Sequence, residues 1–109
     1  NPLVPVVTAD VFRRLQSRDN PPLPTLPQPL TRPAQLGLWL KETRNDLEPP
    51  ARSLQPVIGE VIAALVQAGA LFARMSGSGA TCFGIFADRP ARDRAAMAIR
   101  SAHSGWWVG

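Results

Sequence analysis

Proline placement constrains this chain more than any other feature. Pro21, Pro22, Pro24, Pro27, Pro29 and Pro33 crowd into one stretch, and each removes a backbone donor and holds φ at about −65°. Neither a helix nor a central strand persists under those conditions, so residues 17–35 are expected to form a long loop. The other prolines mark beginnings. Pro49 and Pro50 suit a first helical turn, Pro56 suits the start of another helix after a break near Gln55, and Pro90 opens the last helix. Pro2 and Pro5 keep the apolar Asn1–Val7 segment extended, as a loop or an edge strand.

Between these punctuation marks the apolar residues recur with recognisable periods. Thr8 is a candidate N-cap for a short helix over Ala9–Gln16, with Asp10 in its first turn and Val11, Phe12 and Leu15 on its apolar face. Leu36–Leu40 suggests another short helix. Asn45 or Asp46 caps a third that runs to about Leu54. Val57, Ile58, Val61, Ile62, Leu65 and Val66 form one helical stripe that Gly69 terminates. Leu71–Met75 and Ala80–Phe86 are expected to pair as strands. In the last helix Ala91, Ala95, Ala98, Ile99 and Ala102 share a face, Gly105 ends it, and Trp106-Trp107-Val108 reads as a short final strand. This order predicts one α+β domain over residues 1–109, a ferredoxin-like antiparallel sheet with helices packed on one face.

Composition narrows the function classes. The chain carries 12 basic residues and a net charge of +4, but the arginines are scattered and Lys41 is the only lysine, so no continuous nucleic-acid-binding face is expected. No apolar run reaches the length of a membrane span, no leader opens the chain, and a cytoplasmic protein is expected. The single Cys82 is read as a packed strand residue, and His103, the only histidine, as a helix-end residue.

The candidate chemistry lies in Ser76-Gly-Ser-Gly-Ala-Thr81. Gly77 and Gly79 can adopt positive φ and present successive N–H groups to an anion, while Ser76, Ser78 and Thr81 add hydroxyls around Ala80. The spacing is not that of a P-loop, because Thr81 leads into a strand rather than a helix. By itself the segment reads more readily as a hairpin turn in which the glycines reverse the chain. Asn45, Asp46 and Glu48 contain two acids, but capping and helix-dipole complementarity account for them, and no metal ligand is assigned. An anion-binding or protein-pairing module without catalytic activity, with Trp106 and Trp107 as a pairing surface, fits the same elements.

Met75–Phe86 closely resembles the third conserved motif of the GHMP small-molecule kinases. Two further segments agree in order: Asn1-Pro with Thr8-Ala-Asp-Val-Phe12 resembles an Asn-Pro…Thr-x-x-x-Phe segment, and Asn45-Asp-Leu-Glu-Pro49 an Asn-Asp-Leu-Glu box. They are most similar to the branch of the family that acts on a cytidine diphosphate methylerythritol. The resemblance implies transfer of the ATP γ-phosphate to the 2-hydroxyl of that substrate in non-mevalonate isoprenoid biosynthesis, with ATP and magnesium used by the full-length enzyme. It also implies that Phe12 stacks on the cytosine ring, that Thr8 positions the substrate, and that residues 76–81 pack at the active-site cleft. From spacing alone, Phe12 is instead a core contact of Leu15. The family's glycine-rich ATP loop and its catalytic lysine and aspartate are not in these residues. The chain is therefore expected to be the C-terminal half of such a kinase, whose partner is the N-terminal kinase domain. Alone it is expected to be inactive and to bind no cofactor.

Overall fold

A computed structural model describes residues 1–109. Five helices and two strands follow in the order α1 (Thr8–Arg13), α2 (Pro33–Lys41), α3 (Glu48–Leu54), α4 (Val57–Gln67), β1 (Phe72–Met75), β2 (Cys82–Ile85) and α5 (Arg89–Ala102). The strands form an antiparallel hairpin in which Phe72 faces Ile85 and Met75 faces Cys82. The domain is thus α+β, with a two-stranded sheet.

Strand alternation puts Ala73, Met75, Cys82 and Gly84 on one face of the hairpin. Helix α4 covers that face: a Cβ at Gly84 would stand 3.2 Å from a Leu65 methyl, and a Cβ at Gly79 would stand 3.3 Å from the Ile58 Cδ1. The principal core, Val11, Ala51, Ile58, Met75 and Ala80, joins α1, α3, α4 and β1 beneath the glycine loop. Helix α4 ends as its sequence predicts. Gly69 takes φ +99°, and the N–H groups of Gly69 and Ala70 donate to the Val66 and Leu65 carbonyls, closing a Schellman motif.

Helix α2 flanks the edge of β1, a position outside the expected single helical layer. A Cβ at Gly37 would lie 3.8 Å from both Leu71 Cβ and Phe72 Cβ, which belong to opposite faces. Arg74 fastens this edge: its guanidinium donates to the Leu40 carbonyl (3.0 Å), the Thr43 carbonyl (2.8 Å) and the Thr43 hydroxyl (2.7 Å), and stacks 4.6 Å from the Phe72 ring centroid. Helix α2 begins at Pro33, earlier than expected, because the Gln35 carboxamide oxygen accepts from the Thr31 and Arg32 N–H groups. The proline-rich loop up to Arg32 is otherwise without helix or strand, as predicted.

Several local readings are corrected. Helix α1 stops at Arg13, and Val7 rather than Thr8 holds its N-cap position. Leu47 takes that position for α3, displacing both Asn45 and Asp46. Of the expected α5 face, Ala95 and Ile99 are buried but Ala98 and Ala102 are exposed. The helix ends at Ala102, before Gly105, with His103 as its C-cap stacked on Trp106 at 3.7 Å between ring centroids. Trp106–Val108 is not a strand: its pairing is limited to Trp107, which exchanges N–H···O bonds of 2.7 and 2.8 Å with Asn1.

Candidate functional site

The glycine loop is built as a tight reversal between the two strands. Ser76 N–H donates to the Thr81 carbonyl (2.8 Å) and Gly79 N–H to the Ser76 carbonyl (3.2 Å). Gly77 and Gly79 take φ of +56° and +96°, the left-handed region that a Cβ disfavours, and the Gly79–Ala80 peptide is cis. The N–H groups of Gly77 and Ser78 have no protein acceptor, so part of the expected anion-facing backbone is free.

The residues of the loop divide between roles. Gly77 lines a cleft, whereas Ala80 is 5% exposed and packs in the core. The Thr81 hydroxyl accepts from the Asn1 carboxamide at 2.8 Å. The Ser78 hydroxyl lies 3.0 Å from the Thr8 hydroxyl, joining the glycine loop to the first turn of α1. Thr8 thus reaches the loop with a side chain that the sequence assigned to capping.

Helix α1 turns Val11 inward, fully buried, and leaves Phe12 43% exposed. Phe12 is therefore not the core contact that spacing alone allows. It borders an open cleft of about 530 Å³ with Leu15, Leu23, Leu47 and Gly77, lined also by Arg18, Arg44, Asn45 and Asp46. A neighbouring hollow of about 770 Å³ shares Arg44, Asn45 and Asp46 and extends along the start of α3.

Asn45 and Glu48 hold the loop in place, a role that sequence reasoning missed. The Asn45 amide donates to the Met75 carbonyl (3.0 Å) and the Gly77 carbonyl (2.8 Å), while its oxygen accepts from Leu47 N–H (3.1 Å). Glu48 accepts from Met75 N–H at 3.0 Å and lies 3.6 Å from Arg52. Asp46 pairs with Arg44 at 2.8 Å, and Arg44 also donates to the Pro21 carbonyl, which pins the proline-rich loop across the cleft. The co-occurrence of an Asn-Asp-Leu-Glu box and a glycine loop was the available signal, but not the bonds between them.

These carboxylates do not fit a divalent cation. Asp46 faces a guanidinium and Glu48 a backbone donor, and no three His, Cys, Asp or Glu side chains are grouped to hold a metal. Cys82 lies half-buried under the loop, its thiol pushed up to about 11 by burial and secondarily by Glu48. It is protonated at neutral pH and is no nucleophile there.

The model of the GHMP kinase C-terminal family matches residues 29–105. This chain belongs to that family. It is 54% identical over 108 residues to a protein of Mesorhizobium japonicum named 4-diphosphocytidyl-2-C-methyl-D-erythritol kinase, covering 99% of this chain and 36% of the relative. Relatives with the same name from Cereibacter sphaeroides and Methylobacterium radiotolerans are 53% and 54% identical, again over 99% of this chain and 39% of theirs. The chain thus spans between 36% and 39% of the length of these relatives. No helix in it is long and apolar enough to cross a membrane.

Proposed function

We propose that this domain is the substrate-binding half of a kinase that transfers the ATP γ-phosphate to the 2-hydroxyl of 4-diphosphocytidyl-2-C-methyl-D-erythritol. The observation that carries the reading is the exposed Phe12 bordering a cleft that Gly77 also lines, in a chain more than half identical to kinases named for that substrate. Phosphoryl transfer depends mainly on positioning and charge neutralisation. Phe12 offers an aromatic face to a cytosine ring, Thr8 and Ser78 fix the entry of α1 against the loop, and the free Gly77 and Ser78 N–H groups offer donors to a phosphate.

ATP and magnesium are assigned to an N-terminal domain that completes the cleft, and the isolated domain is expected to be inactive. The proposed compartment is the cytoplasm, in line with relatives named 4-diphosphocytidyl-2-C-methyl-D-erythritol kinase, a name that gives a small molecule as substrate. A ferredoxin-like arrangement is the finer fold reading. It is supported by Asn1 and Trp107, which exchange backbone hydrogen bonds of 2.7 and 2.8 Å, although Leu3 at φ +59° breaks the extended run expected for Asn1–Val7.

The test is phosphorus NMR of the full-length protein with ATP, magnesium and the cytidine diphosphate methylerythritol. A new phosphomonoester signal is expected. A folded full-length protein that produces none discards this substrate and returns the question to other alcohols of the GHMP group.

A further inference from the structure

The cleft beside Phe12 has an outer wall that neither the glycine loop nor the Asn45–Glu48 box supplies. It is made by the beginning of the proline-rich loop, where Arg18, Pro21 and Leu23 line the opening together with Phe12 and Leu15. Arg44 fixes this wall by donating to the Pro21 carbonyl while its Nε holds Asp46 at 2.8 Å. Trp39 adds a second anchor, its indole N–H donating to the Thr25 carbonyl at 3.1 Å. Proline stiffens the segment between these anchors.

Charge in the cleft is unbalanced at one residue. Arg44 and Asp46 neutralise each other, whereas Arg18 has no carboxylate within 4.0 Å and no hydrogen-bond partner in the protein. Its neighbours in the cleft include the apolar faces of Phe12 and Leu23. An aromatic surface with one unpaired guanidinium is complementary to a ligand that joins a flat ring to an anionic group.

We infer that Arg18 is a specificity-determining residue that recognises the diphosphate of a nucleoside diphosphate substrate, held at the cleft by the Arg44–Pro21 clamp. This rests on the kinase reading above and names the group that distinguishes its substrate from a neutral nucleoside. Arg is suited to the task, because its planar fork donates two parallel bonds to a phosphate.

The test compares Arg18→Gln with Arg13→Gln in the full-length enzyme. Arg13 is an exposed residue at the end of α1 that pairs with Asp10 and does not line the cleft. Turnover of the cytidine diphosphate methylerythritol is followed with CDP and cytidine as competing ligands. The parent enzyme is expected to prefer CDP. Arg18→Gln is expected to raise KM about tenfold with little change in kcat and to erode the CDP preference by the same factor, the effect of roughly one charge-assisted hydrogen bond. Arg13→Gln is expected to leave both unchanged. An active enzyme whose Arg18→Gln variant keeps its KM and CDP preference overturns the inference, as does an equal effect of the two variants. A folded parent that turns over no substrate overturns the kinase reading beneath it.

Discussion

Asn45 is the side chain whose removal most directly tests how the glycine loop is held. Its amide bonds to the Met75 carbonyl (3.0 Å, partly buried) and the Gly77 carbonyl (2.8 Å, exposed), and its oxygen accepts from Leu47 N–H (3.1 Å). The partly buried bond is worth about 1 kcal/mol, the exposed one about half that because water replaces it, and the turn-closing bond to Leu47 about 1 kcal/mol. Asn45→Ala should therefore destabilise the domain by about 2.5 kcal/mol. Asn45→Asp makes the reasoning sharper. A carboxylate still accepts from Leu47 but cannot donate, and it sets a negative charge against two carbonyl oxygens. The near-isosteric change should thus cost at least about 1.5 kcal/mol, the loss of the two donor bonds, plus that repulsion. Urea denaturation of the parent and both variants measures this, with unchanged m-values as the check that only stability moved. An aspartate variant within about 0.5 kcal/mol of the parent, a change ordinary for uninvolved surface sites, would refute the clamp.

Other substitutions separate the parts of the site. Gly77→Ala meets open space at φ +56° and should cost about 1 kcal/mol, whereas Gly79→Ala at φ +96° also brings a Cβ within 3.0 Å of the Met75 sulfur and should cost more, about 2–4 kcal/mol by thermal denaturation. Arg74→Lys keeps the charge but loses the fork that reaches Leu40 and Thr43, and should lower stability by about 1–2 kcal/mol in the same assay. Because the Cys82 thiol is raised from its ordinary value of 9.0 to about 11, the unfolded chain loses its proton first. Stability should be level in this respect below pH 9 and decline between pH 9 and 11, a decline that Cys82→Ala removes in pH-dependent denaturation.

Local periodicity carried much of the fold. The stripe from Val57 to Val66 and the stop at Gly69 announce α4 because helix packing and a positive-φ cap leave marks at fixed spacing, although Val66 at the stripe's end is 55% exposed. The hairpin is legible for a similar reason, with apolar runs flanking two glycines. Phe12 shows the limit. Adjacent Val11 and Phe12 are equally apolar, and only the orientation of α1 over Ile58 and Met75 decides that valine is buried and phenylalanine borders the cleft. Asn45 and Glu48 read as helix-start residues because that is their commonest local use, whereas their bonds to Met75 and Gly77 span about thirty residues of sequence and leave no periodic trace. The Trp106–Val108 segment has strand-like composition, yet strand formation depends on a partner, and its backbone pairing is confined to Asn1.

Whether Phe12 meets the substrate or serves the core is read from the kinetic split of Phe12→Ala in the full-length protein. With 43% of its surface exposed, Phe12 gives up only part of a phenylalanine's burial energy on truncation, while base–aromatic stacking is worth roughly 1–3 kcal/mol. The variant is expected to fold and to show a KM for the cytidine diphosphate methylerythritol raised about tenfold or more, with kcat largely retained. An unchanged KM, or a loss of activity that follows loss of folding, would contradict substrate contact by Phe12.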